Sequence, residues 1–172
     1  MSIADQITAL CAQGKLWRFQ SYGGRQLLVG PEVYAMITPP YPKEEASDFA
    51  IARATLENFA INGRISLRWN PKDDVPAMMA RTCPLNRYVF DFRTKGDEGG
   101  IRIFGRFAAT NCFVALTYHF REGLVWKTEV NRCCDEWISL FGATPCFQGN
   151  SPNDYISSNL RVAEPRRRRA RS

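Results

Sequence analysis

Residues Tyr88 to Phe120 constrain this chain most. They read as three consecutive β-strands, YVFDFRT, IRIFGRF and CFVALTYHF, dominated by aromatic and β-branched residues. The hexapeptide KGDEGG between the first two predicts a turn. Side chains alternate faces along a strand. In the first run Tyr88, Phe90 and Phe92 share one face, opposite Val89, Asp91 and Arg93. In the second, Ile101, Ile103 and Phe107 share a face, with Gly105 leaving a gap, while Arg102, Phe104 and Arg106 point the other way. One face of the sheet is thus apolar, and the other can gather Arg93, Arg102 and Arg106. The third run is apolar on both sides, as suits a central strand, and carries His119, the only histidine, near its end. In a regular strand Tyr118 and His119 face opposite sides, and only a bulge changes that.

Elsewhere the pattern is more local. Residues 2–13 predict a short helix capped by Ser2 and stopped at Gly14, with Ile3, Ile7 and Leu10 as its stripe. LWRFQS and RQLLVG, joined by YGG, predict a hairpin, and VYAMIT reads as a further strand closed by Pro39, Pro40 and Pro42. Glu44 to Asn62 is the longest helical signal, with Phe49, Ala52, Leu56 and Phe59 at spacings of three and four. A short helix over VPAMMAR, capped by Asp73 or Asp74, is expected next. Trp126, Val130, Cys133, Trp137 and Phe141 then line one face of a second long helix, ended by Gly142 and Pro145. Residues 142–172 read as an extended polar segment and a disordered basic tail.

The length of 172 residues suits one domain, and 45% hydrophobic residues suffice for a core. No run of about 18 apolar residues predicts a membrane span, and MSIADQITAL lacks a basic-then-apolar leader, so a cytoplasmic protein is expected. The formal net charge is +6, but the last eight residues contain five arginines and no acid, which leaves +1 on residues 1–164. The basic balance therefore describes a tail, not a body. None of the six cysteines forms a CxxC pair, and Cys112, Cys133 and Cys134 lie in apolar patterns, which reads as buried free thiols. No HExxH, phosphate-cradling glycine loop or acidic cluster at metal-ligand spacing is present, so no cofactor is expected.

Residues 33–141 resemble the RelE/HigB-type toxins, small ribonucleases of toxin–antitoxin modules. YVFDFR resembles that family's strand ending in an arginine, here Arg93. GIRIFGRF resembles the next strand, with Arg102. FVALTYHFREGLVWKTEVNRCCDEW resembles the last strand running into a closing helix, although Arg121 and Glu122 stand where the family carries two lysines. The resemblance implies an α+β fold with an antiparallel sheet of about four strands packed by helices on one side. It makes 1–32 an N-terminal helix and hairpin extension, 33–141 the core domain and 142–172 a C-terminal extension. It also implies metal-independent endoribonuclease cleavage of mRNA, on the ribosome, with an antitoxin as protein partner.

Such chemistry needs a base for the 2′-hydroxyl, an acid for the leaving oxygen and cations for the charged transition state. Arg93, Arg102 and Arg106 are the candidate cations and His119 the candidate proton carrier. Arg121 and Lys127 are placed near the mouth as RNA contacts. Arg166, Arg167, Arg168, Arg169 and Arg171 are candidate backbone contacts from the tail. Two other readings of the same residues stay open. Arginines on a solvated sheet face are ordinary, Asp91 can simply pair with one, and a lone histidine at a strand end can be structural. Trp17, Phe19 and Trp69 read as core aromatics, with base stacking as the alternative. The alternative function is a non-catalytic nucleic-acid-binding or protein-interaction module.

Overall fold

A computed structural model describes residues 1–19, 22–95 and 99–165. The chain opens with α1 (Ile3–Ala12), and its capping box is complete: the Asp5 amide donates to Ser2 Oγ at 3.1 Å, and the Ser2 amide donates back to Asp5 Oδ2 at 3.0 Å. Strands β1 (Trp17–Arg18) and β2 (Gln26–Val29) pair antiparallel. Helices α2 (Pro31–Ile37) and α3 (Ala46–Ala60) follow, then β3 (Ile65–Arg68) and β4 (Met79–Arg81). The central strands are β5 (Phe90–Arg93), β6 (Ile101–Ala109) and β7 (Cys112–Phe120). Helix α4 (Trp126–Phe141), the short α5 (Pro152–Tyr155) and β8 (Leu160–Val162) complete the described chain.

All eight strands join one sheet in the order β1-β2-β7-β6-β5-β4-β3-β8. The β2–β7, β3–β4 and β3–β8 pairs are parallel and the others antiparallel. This overturns the expected four-stranded antiparallel sheet of RelE type. The expectation of helices on one side also fails. Val33, Met36 and Ile37 of α2 and Phe49, Leu56 and Phe59 of α3 join one apolar cluster, with Leu27, Phe92, Ile103 and Phe113 of the sheet. Ile7 and Leu10 of α1 and Val130, Cys133 and Trp137 of α4 join a second, with Leu28, Phe104 and Val114 on the other face. The result is helix, sheet, helix in three layers.

Three local readings change with it. VYAMIT is the helix α2, not a strand: Pro31 occupies its first turn, Glu32 complements the dipole, and Val33, Met36 and Ile37 bury one face at helical spacing. VPAMMAR holds the strand β4 instead of a helix, and ISLR forms β3 beside it. The segment after Pro145 is not merely extended, since α5 and β8 form there and Leu160, Arg161 and Val162 pair with Ile65, Ser66 and Leu67.

Phe59 is a hub of the first core, edge-on to Phe92, Phe107 and Phe113 with ring centroids 5.7, 6.5 and 6.1 Å away. Such pairs contribute about 0.5–1.5 kcal/mol each beyond their area. Trp137 anchors the second core, stacked at 4.3 Å on Phe141, with its indole N–H donated to the Thr144 carbonyl at 2.9 Å. Arg25, only 1% exposed, closes one flank. Its guanidinium donates to the Gly63 and Ser158 carbonyls, both at 2.7 Å, so it ties the end of α3 to the segment that leads into β8.

Candidate functional site

Register decides which side chains meet. Arg93 of β5 lies opposite Arg102 of β6, and Arg102 lies opposite His119 of β7. One row across three strands therefore carries the two candidate arginines and the histidine on the α4 side of the sheet. His119 reaches that side because β7 contains a bulge. Phe104 pairs with Thr117 but Gly105 pairs with Ala115, so Leu116 is an extra residue. Before the bulge, even-numbered residues such as Val114 face α4; after it, odd-numbered ones do. Tyr118 consequently packs into the opposite core, edge-on to Phe49 at 5.9 Å.

Asp91 organises the arginines. It is fully buried, and its Oδ2 lies 3.2 Å from Arg93 Nε and 3.7 Å from Arg102 Nε. Burial pushes the Asp91 carboxyl above its usual range, against the pull of Arg93 and Arg102. Burial lowers the Arg102 and Arg68 guanidinium values, yet arginine remains charged under any ordinary condition. With one carboxylate oxygen addressed by two Nε atoms, the Nη groups of Arg93 and Arg102 make no hydrogen bond among the described residues.

Those groups line a basin. Two adjoining hollows of about 530 and 770 Å³ share Arg68, Asp74, Arg93, Arg102 and Arg121. The first is also lined by Arg81, Leu124 and Trp126, the second by Thr94 and Lys95. Both exceed the lower end, about 300 Å³, of typical ligand sites. Among the described lining residues Asp74 is the one carboxylate beside five arginines, with Asp91 buried behind them and Asp73 acting on Arg68. Eight buried side-chain polar atoms lack a hydrogen-bond partner among the described residues. Half of them belong to this cluster: Arg68 Nε, Arg81 Nε, Arg102 Nε and Asp91 Oδ1. Unsatisfied buried polar atoms are rare in folded chains, and a cluster of them calls for a partner such as water, an ion or a ligand.

The neck of the β5–β6 hairpin sets the position of Arg121. Gly100 has φ +79°, and a Cβ there would stand 2.1 Å from the Thr94 carbonyl oxygen, so only glycine fits. Its own carbonyl accepts from the Arg121 amide at 2.9 Å, which brings the β7–α4 loop to the basin's rim.

The sequence candidates thus divide. Arg93, Arg102 and Arg121 come together. His119 shares their row but does not line either hollow; its Nδ1 lies 2.5 Å from the Phe120 carbonyl, so Nδ1–H donates and Nε2 has no hydrogen bond among the described residues. Arg106 is on the same face but committed elsewhere, donating from Nε to the Arg87 carbonyl at 3.0 Å. Lys127 is exposed on the first turn of α4 and lines neither hollow. Arg166, Arg167, Arg168, Arg169 and Arg171 lie outside the described residues. Arg68, Arg81 and Trp126 escaped the sequence reading; for Arg68 the alternation Ile65, Ser66, Leu67, Arg68 was the available signal. Trp17, Phe19 and Trp69 pack against the core, as their apolar settings suggested.

No family model, curated protein or solved structure matches the chain. Among the described residues, no helix is long and apolar enough to cross a membrane.

Proposed function

We propose that the protein binds the phosphate backbone of a nucleic acid in the arginine basin. One observation carries this reading: Arg93 and Arg102, facing partners on neighbouring strands, are aimed by a shared buried carboxylate and keep unused Nη donors at one hollow. A planar guanidinium fork matches phosphate oxygens in pairs, and a charge-assisted hydrogen bond contributes about 1.5–3 kcal/mol. A purely structural arginine would have its donors consumed by carbonyls or carboxylates, as Arg25 largely does. The proposal includes a cytoplasmic location, where the six free thiols stay reduced.

Fluorescence anisotropy with a labelled RNA or DNA oligonucleotide at low salt tests it. The variant Asp91→Asn/Arg93→Gln/Arg102→Gln removes the buried charge together with its counter-ions, so the fold is not left with an unpaired carboxylate. It is expected to weaken binding about 100-fold. Arg121→Glu, at an exposed position, is expected to weaken it about tenfold without a change in melting temperature. Wild-type affinity in both variants overturns the reading.

A second reading, metal-independent RNA cleavage, is supported by the row Arg93–Arg102–His119. In it His119 Nε2 takes the proton of the 2′-hydroxyl, the 2′-oxygen attacks phosphorus, the bond to the 5′-oxygen breaks with that oxygen taking a proton from water, and the arginines stabilise the charged phosphorane-like transition state. It requires the RNA to reach beyond the hollows to His119. Incubation of labelled RNA with EDTA decides it. Products that vanish in His119→Ala and Arg102→Ala support cleavage, and intact RNA leaves binding alone.

A further inference from the structure

We infer that the basin takes a single-stranded nucleic acid, with an unpaired base lying against Trp126 while the adjacent phosphate meets Arg93, Arg102 and Arg121. This rests on the backbone-binding reading and adds what the ligand must present besides charge. Trp126 lines the same hollow as these arginines and is 41% exposed. The indole is held rather than free: Phe104 packs against it edge-on, with centroids 5.7 Å apart and planes at 76°. It also begins α4, whose buried face fixes the backbone beneath it. Val125 beside it is 59% exposed, so the apolar wall continues outside the hollow.

Arg81 also contributes to the lining, but its guanidinium is committed elsewhere: its carbon lies 4.2 Å from the centroid of the Trp69 ring, which belongs to the opposite apolar cluster. The stacking surface is therefore Trp126, and aromatic rings are surfaces on which unstacked bases rest. A duplex hides its base faces and would leave the indole unused. Inorganic polyphosphate has no planar group at all. A hollow of about 530 Å³ has room for a nucleotide-sized unit.

The test compares three labelled or competing polyanions: an oligothymidylate of about 12 nucleotides, within the range of single-strand site sizes, its duplex with oligoadenylate, and inorganic polyphosphate. Trp126→Ala is expected to weaken the single strand about tenfold and to leave the duplex and polyphosphate unchanged. Trp126→Phe should recover most of the loss, which a merely misfolded variant would not. Equal weakening of polyphosphate, or an unweakened single strand, overturns the inference. Arg121→Glu separates this from the underlying reading, because it must weaken polyphosphate and single strand alike. If it weakens neither, the backbone-binding reading itself fails.

Discussion

Arg102 and Arg106 lie four residues apart on one strand and one face, in two different worlds. Under α4, Arg106 donates to the Arg87 carbonyl through Nε and Nη2, and its guanidinium sits 5.7 Å from the Trp137 ring centroid. Its charge is absorbed by main chain and aromatic surface, as an element of packing. Beyond α4, the one ion-pair partner of Arg102 among the described residues is the Asp91 carboxylate at 3.7 Å, and it faces a hollow bounded largely by loops. The comparison teaches that residue type and strand face do not settle a cation's role. What covers it does. Here α4 supplies the Trp137 ring and the turn before β5 supplies the Arg87 carbonyl, whereas loops at a distance leave donors waiting.

The sharpest way to break this contrast is to damage the covered half alone. Trp137→Ala removes a side chain that is 1% exposed, and such truncations cost about 3–5 kcal/mol. Urea denaturation should show that loss, while the folded fraction keeps its affinity for oligonucleotide. A loss below about 1 kcal/mol would mean that the α4 layer does not anchor the sheet.

Next in size, Arg106→Ala forfeits hydrogen bonds and a cation–aromatic contact, for about 1–2 kcal/mol of stability. Oligonucleotide affinity should stay within twofold. An affinity loss equal to that of Arg102→Ala would erase the distinction between the two halves.

Asp91 gives a pH signature. Its carboxyl titrates above the usual value because it is buried. The unfolded chain releases that proton first, so this group's contribution to stability is full below the ordinary value of 3.8 and declines as pH rises through the folded one. Asp91→Asn lacks that decline. The stability of the variant relative to wild type should therefore increase between pH 4 and pH 7 in urea titrations, and a flat or opposite trend would show the arginines winning over burial.

The smallest structural effect belongs to removal of residues 166–172. Stability should change by less than about 0.5 kcal/mol. The slope of log affinity against log salt for a single strand should fall by about 0.7 for each arginine that had neutralised a phosphate. An unchanged slope would confine binding to the basin.

Much of the sheet's centre was legible because β5, β6 and β7 combine long aromatic alternation with clear turns, and α1, α3 and α4 carry a helical stripe. The α4 stripe was read one turn too far: Val130, Cys133, Trp137 and Phe141 are buried, but Trp126 at the helix start escapes the core. Strands β4 and β8 have three residues each, too few for a periodicity to declare itself, and β3 offers a single four-residue alternation. The parallel β2–β7 pair joins segments separated by half of the chain, and nothing local in RQLLVG names its partner. VYAMIT misled because its β-branched and aromatic residues suit a strand, while Gly30 and Pro31 before it and the Val33, Met36, Ile37 spacing suit a helix; tertiary burial settled it. Arg93 and Arg102 could be paired from alternation alone. Arg68 and Arg81 could not, since their strands were not recognised, and Asp91 was read as a neutraliser when its place is to aim two guanidiniums.

The extra residue at Leu116 has a consequence for how this chain could vary. Gly105 opposite it is wedged so closely that a Cβ would stand 2.2 Å from the Val114 carbonyl oxygen, which holds the slip in place. Deleting Leu116 would bring Thr117 directly after Ala115, in the register those two residues already hold against Phe104 and Gly105, and His119 would stay opposite Arg102. Loss of that one codon would therefore smooth the ribbon without moving the imidazole away from the cations.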